Sequence, residues 1–105
     1  MNEKRFTAIV IATFNSDGEY EIFVEKLKDF NSDKVIKHLK ANGQISLSLN
    51  RIVEDELIRI ATIWQYENKK CWEECQKLWS KFTGIGPNYI VKRSRFIGEE
   101  IFSWQ

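Results

Sequence analysis

The sequence predicts an α+β fold: one antiparallel sheet of four strands carrying helices on a single face. Two observations predict it. Hydrophobic periods of two and of three-to-four alternate along the chain in the order strand, helix, strand, strand, helix, strand. Two of the strands, Phe6–Phe14 and Leu57–Tyr66, are largely apolar on both faces, as strands in the middle of a sheet are. The chain has 105 residues, 43% of them hydrophobic, which suits one domain spanning residues 1–105 with a packed core.

The elements follow in order. FTAIVIATF (6–14) places Phe6, Ala8, Val10, Ala12 and Phe14 on one face, and Thr7, Ile9, Ile11 and Thr13 on the other. Asn15-Ser16-Asp17-Gly18 reads as a turn. A helix is expected over 19–30, with Tyr20, Phe23, Val24, Leu27 and Phe30 as its buried stripe. Ser32 or Asp33 then caps a shorter helix presenting Val35, Ile36 and Leu39, which Gly43 ends. Residues 44–53 form the second strand. Its apolar Ile45, Leu47 and Leu49 alternate with Ser46, Ser48 and Asn50, as on an edge. Glu54-Asp55-Glu56 makes a hairpin connection into the strand from Leu57 to Tyr66.

The last helix is expected over 68–82. Asn68 caps it, Cys71, Trp72, Cys75, Leu78, Trp79 and Phe82 form its stripe, and Gly84 stops it. Ile85 to Asn88 is loop. Tyr89 to Ile97 is the last main strand, and Gly98 is expected to break it. The tail from Glu99 to Gln105 carries Ile101, Phe102 and Trp104, too apolar to stand free, so it should cross the sheet or meet a partner. This order is the ferredoxin-like βαββαβ pattern. Right-handed crossovers put the first and third strands at its centre. Helices then cover one face, and homodimerisation through the open face covers the other.

IRIATIWQYENKKCWEECQKLW resembles the third-strand-to-second-helix segment of the dimeric α+β barrel superfamily, which includes antibiotic-biosynthesis and haem-degrading monooxygenases. The resemblance rests on Thr62-Ile63-Trp64, a short polar link, and a helix opening with aromatic Trp72. In the haem-degrading branch, the resemblance implies that the strand tryptophan works with a helix histidine and a first-strand asparagine. Trp64 matches the first. The helix has no histidine, with Glu74 and Cys75 near that place, and the first strand reaches Asn15 only at its end. Haem degradation is therefore not expected. Cofactor-free oxygenases of the group use aromatic and polar pocket residues instead.

Candidate pocket residues are accordingly Trp64, Tyr66, Thr62, Trp72, Thr13 and Asn15, with His38, the chain's single histidine, as a general base, an axial haem ligand or a surface or boundary residue. Two functions are open. One is a small-molecule-binding protein, including cofactor-independent oxygenation, which requires a cavity beside Trp64 with a polar group inside. The other is a non-catalytic structural or interaction homodimer, in which Trp64, Tyr66, Trp72 and Trp79 fill the space. Arg93 and Arg95 share a strand face. With Arg59 they suit either an anionic ligand or a solvated rim. Cys71 and Cys75, one helical turn apart, read as reduced core thiols, since neither a disulfide within one helix nor a four-ligand zinc site fits them.

No cofactor or metal is expected, and no phosphate loop is present. Sixteen basic residues against fifteen acidic give a net charge of +1, which offers no electrostatic case for nucleic acid or an anionic membrane. No apolar run is long enough to span a bilayer, and MNEKRF lacks a leader's apolar core, so a cytoplasmic protein is expected.

Overall fold

The computed structural model describes residues 4–53, 56–81 and 90–104. Its elements are β1 (Phe6–Phe14), α1 (Asp17–Phe30), α2 (Asp33–Ala41), β2 (Gln44–Arg51), β3 (Ile58–Tyr66), α3 (Lys69–Trp79) and β4 (Ile90–Glu99). The strands form one antiparallel sheet in the order β2-β3-β1-β4. The two strands that are apolar on both faces are thus the two central ones. The fold is the expected ferredoxin-like α+β arrangement.

Each helix starts where a side chain can satisfy an end amide. Ser16 Oγ accepts from the Glu19 N–H at 3.2 Å, Ser32 Oγ from Val35 at 3.3 Å, and Asn68 Oδ1 from Cys71 at 2.9 Å. Ser16 Oγ also donates to Glu19 Oε1 at 3.1 Å, a side-chain pair that steadies the cap. Asn15-Ser16-Asp17-Gly18 is therefore largely helix cap and first turn, and α1 begins two residues before the expected start. α3 ends at Trp79 rather than Phe82. The expected stop at Gly84, the loop through Asn88 and the acidic link at Glu54-Asp55 lie outside the described residues.

Gly43 has φ 90°, and its carbonyl accepts from the Glu67 N–H at 2.9 Å, which locks the end of α2 against the start of α3. Gly98 does not break β4. It pairs with Thr7, and Glu100 N–H still donates to Arg5 O at 2.8 Å. A Cβ at Gly98 would meet only open space, so on this edge strand glycine gives up no packing and the ladder continues through it.

The core lies between the sheet and the helices. Phe6, Ala8, Ala12 and Phe14 of β1 and Ile60, Thr62 and Tyr66 of β3 are buried, together with Phe23, Leu27, Leu39 and Cys75 from the helices. Thr7, Ile9, Ile11 and Thr13 occupy the opposite face with Arg59, Ala61, Ile63 and Gln65. That face stays partly open: Phe96, across from Ile9, is 56% exposed. The tail does not cross this sheet. Ile101, Phe102 and Trp104 are 90%, 82% and 87% exposed.

Candidate functional site

The inward face of β1 reads large, small, medium, small, large: Phe6, Ala8, Val10, Ala12, Phe14. Short side chains at the middle of the sheet leave space beneath the helices, and the two phenylalanines pack on aromatic rings that line it. Phe6 lies against Trp72 at 5.2 Å between ring centroids, and Phe14 against Phe23 at 5.2 Å. Between them is a cavity of about 460 Å³. Ala8, Val10 and Ala12 floor it. Thr62, Trp64 and Tyr66 of β3 line one side, and Arg93 and Arg95 of β4 line the other. Phe23 and Leu27 of α1, with Trp72, Gln76, Trp79 and Ser80 of α3, complete it.

The register fixes the layout. Thr62, Val10 and Arg95 stand in one cross-strand row; Ile60, Ala12 and Arg93 stand in the next. With strands spaced at about 4.8 Å, Thr62 and Arg95 face each other across roughly 10 Å of floor. The helices rest chiefly on β1, β2 and β3. Arg93 and Arg95 are exposed and so stand at the mouth.

Trp79 Nε1 donates to Gln44 Oε1 at 2.8 Å, and its ring meets Trp64 edge-on at 5.8 Å. Gln44 reaches this side because of a bulge at the start of β2. Gln44 pairs with Tyr66 and Ser46 with Gln65, so Ile45 is the extra residue and Gln44 shares the helix-facing side with Leu47. Trp64 Nε1 is buried and has no acceptor among the described residues. Burial pushes the Tyr66 phenol well above its usual range. Cys75 adds to that rise, while a hydrogen bond with the Gln76 side chain opposes it. The Cys75 thiol is likewise pushed up to about 11, first by burial and then by Cys71.

Of the candidate residues, Thr62, Trp64, Tyr66 and Trp72 come together on the cavity wall. Thr13 does not join them, because it pairs with Arg59 and Lys92 on the other face of the sheet. Asn15 follows β1 at an exposed position, and exposed His38 lies on α2 with its Nε2 3.4 Å from Asn42 Nδ2. Arg59 is also on the opposite face from Arg93 and Arg95, so the three cannot form one cluster. Cys71 and Cys75 are free thiols. Among the described residues no group of three or more His, Cys, Asp or Glu could hold a metal, and no helix is long and apolar enough to cross a membrane.

A four-stranded antiparallel sheet in the order β2-β3-β1-β4, with helices on one face and a cavity between sheet and helices, defines the ferredoxin-like α+β fold. The chain belongs to the family defined by a domain of unknown function, DUF6974, whose model matches residues 3–95. It is similar to a dimeric ferredoxin-like protein from an uncultured marine organism, with TM-score 0.84 and 22% identity over 98% of this chain and 93% of that one. A second dimeric ferredoxin-like protein from an uncultured marine organism aligns with TM-score 0.81 and 21% identity, over 97% of this chain and 100% of that one. A protein from Bacillus cereus, provisionally named an antibiotic-biosynthesis monooxygenase, aligns with TM-score 0.70 and 19% identity, over 97% and 98%. At these identities the likeness is one of fold, and at that level the resemblance carried by Thr62-Ile63-Trp64 holds. No curated protein matches the sequence.

Proposed function

We propose that this protein is a homodimer that binds a small, largely apolar molecule in the cavity beside Trp64. The observation that carries the reading is the cavity itself. A space of about 460 Å³, walled by aromatic rings and holding a few polar groups, has the size and chemistry of a ligand site. Four tryptophan and tyrosine side chains surround it without filling it, which weighs against a purely structural role for them. The dimer is supported by the two dimeric neighbours, by the half-open face of Ile9, Ile11, Ile63 and Phe96, and by the exposed apolar tail.

A cofactor-independent, monooxygenase-like reaction is the finer form of this proposal. Its support is the neighbour named for such an activity, together with the aromatic wall and the polar Thr62, Tyr66 and Gln76.

The test is a thermal-shift screen of neutral one- and two-ring aromatic compounds against the protein and against Val10→Phe, which places a ring on the cavity floor. Ligands that raise the Tm of the protein but not of the variant support the site. No stabilising compound, or equal shifts in both proteins, overturns it. Oxygen uptake with hydroquinones above the buffer rate, lost in Val10→Phe, would support the reaction; no uptake removes that part alone.

A further inference from the structure

We infer that the ligand of this cavity carries an anionic group, a carboxylate on an aromatic body, held at the mouth by Arg93 and Arg95. This rests on the proposed ligand site and names the chemistry of what enters it. Arg93 and Arg95 are two residues apart on β4 and both line the cavity from the same side, about 7 Å apart along the strand. Among the described residues no Asp or Glu contributes to the lining. Neither arginine makes an ion pair or side-chain hydrogen bond among the described residues. The chain as a whole balances sixteen cations with fifteen anions, so an unmatched pair of guanidiniums at one cavity mouth is not a consequence of general basicity.

The rest of the wall fits the other half of such a molecule. Trp64, Trp72, Trp79 and Phe23 offer ring faces and edges, while Ala8 and Ala12 leave a low floor for a flat body. A planar guanidinium matches a carboxylate with two parallel N–H donors, and it loses less hydration in doing so than an ammonium would. Inward-pointing charge on an edge strand also discourages unwanted strand pairing. That role would be served equally by lysine and would give no preference between ligands.

The experiment is isothermal titration of the full chain with 2-naphthoate and with 2-naphthamide, which share a ring system and differ in charge. Naphthoate is expected to bind tighter by roughly ten- to a hundredfold, the factor that one or two charge-assisted hydrogen bonds supply. In Arg93→Gln/Arg95→Gln that preference should vanish, with naphthoate losing far more affinity than naphthamide. In Arg93→Lys/Arg95→Lys it should fall between the two. Equal affinity for both probes, or a preference that survives the glutamine pair, overturns the anion assignment and leaves the cavity reading standing. Naphthoate binding that persists unchanged in Val10→Phe places the anion elsewhere and also overturns it. If neither probe binds, the anion assignment falls, and the neutral-compound screen separately decides the cavity.

Discussion

A matched pair of substitutions, Trp79→Phe and Trp64→Phe, tests the polar geometry of the site through stability. Both remove the same atoms, so the packing loss of about 1–2 kcal/mol is similar in each. The hydrogen-bond consequences have opposite signs. Trp79 Nε1 donates to Gln44 Oε1 at 2.8 Å, and Gln44 is only 6% exposed, so Trp79→Phe strands a buried acceptor at a cost of about 1–3 kcal/mol. Trp64 Nε1 is buried with no acceptor among the described residues, so Trp64→Phe relieves a desolvated donor worth about 1–3 kcal/mol. Trp64→Phe should therefore be close to neutral and Trp79→Phe clearly destabilising, with at least about 2 kcal/mol between them. Urea unfolding followed by far-ultraviolet circular dichroism, rather than by tryptophan emission, gives both values. Equal losses in the two variants, or a larger loss for Trp64→Phe, would refute the assignment of one indole as bonded and the other as unsatisfied.

Gly43→Ala should cost about 2–4 kcal/mol, measured by the same unfolding. The residue has positive φ, and a Cβ there would run into Cys71 Sγ and lie 2.7 Å from Cys71 Cβ. Stability should also fall at alkaline pH. The Cys75 thiol rises from 9.0 to about 11 on folding, so the unfolded chain gives up this proton first, and stability present below pH 9 is lost as pH climbs toward 11. Tyr66, pushed up by burial, adds to the loss in the same direction. Unfolding midpoints at successive pH values should drop less steeply in Cys75→Ala than in the unaltered protein; parallel slopes would count against this account. Phe96→Glu on the open face, or removal of residues 100–105, should shift the protein toward monomer by light scattering, whereas an unchanged mass would remove both from the interface.

Strand identity and the central place of β1 and β3 were legible because each strand's two faces repeat every second residue, and a buried face cannot hide in that pattern. The same alternation puts Thr62, Trp64 and Tyr66 on one strand face, and the three-to-four spacing puts Trp72 on the apolar stripe of the last helix, which is why all four stood as pocket candidates. Three features were not legible, each for a physical reason. Gln44 appears by alternation to share the polar face of Ser46, and a bulge at Ile45 turns it inward instead. Asn15 and Thr13 are close in sequence to the inward residues of β1, but one lies past the strand and the other faces away, where no helix packs. Arg59 separates from Arg93 and Arg95 because facing depends on strand register, which no local pattern states. Glycine punctuation also misled at Gly98, since an exposed edge tolerates a residue that a central strand would not.

On the proposed reading, one strand gives the two faces of the sheet different work. β1 alternates Ala8, Val10 and Ala12 with Thr7, Ile9 and Ile11, so the side that must leave room carries short groups and the side available to a partner carries branched ones. Enlarging an inward residue should empty the site of ligand without touching association. Charging an outward one should break association and reach the cavity only through the strand backbone. Val10→Phe and Phe96→Glu are the two arms of that comparison, and binding and mass measured on both separate a ligand site that needs the dimer from one complete within a single chain. If Phe96→Glu yields a folded monomer that still binds with unchanged affinity, the residues of the cavity wall described here suffice. If affinity falls with the dimer, the partner must order β4, the strand that carries both arginines and forms the sheet's outer edge.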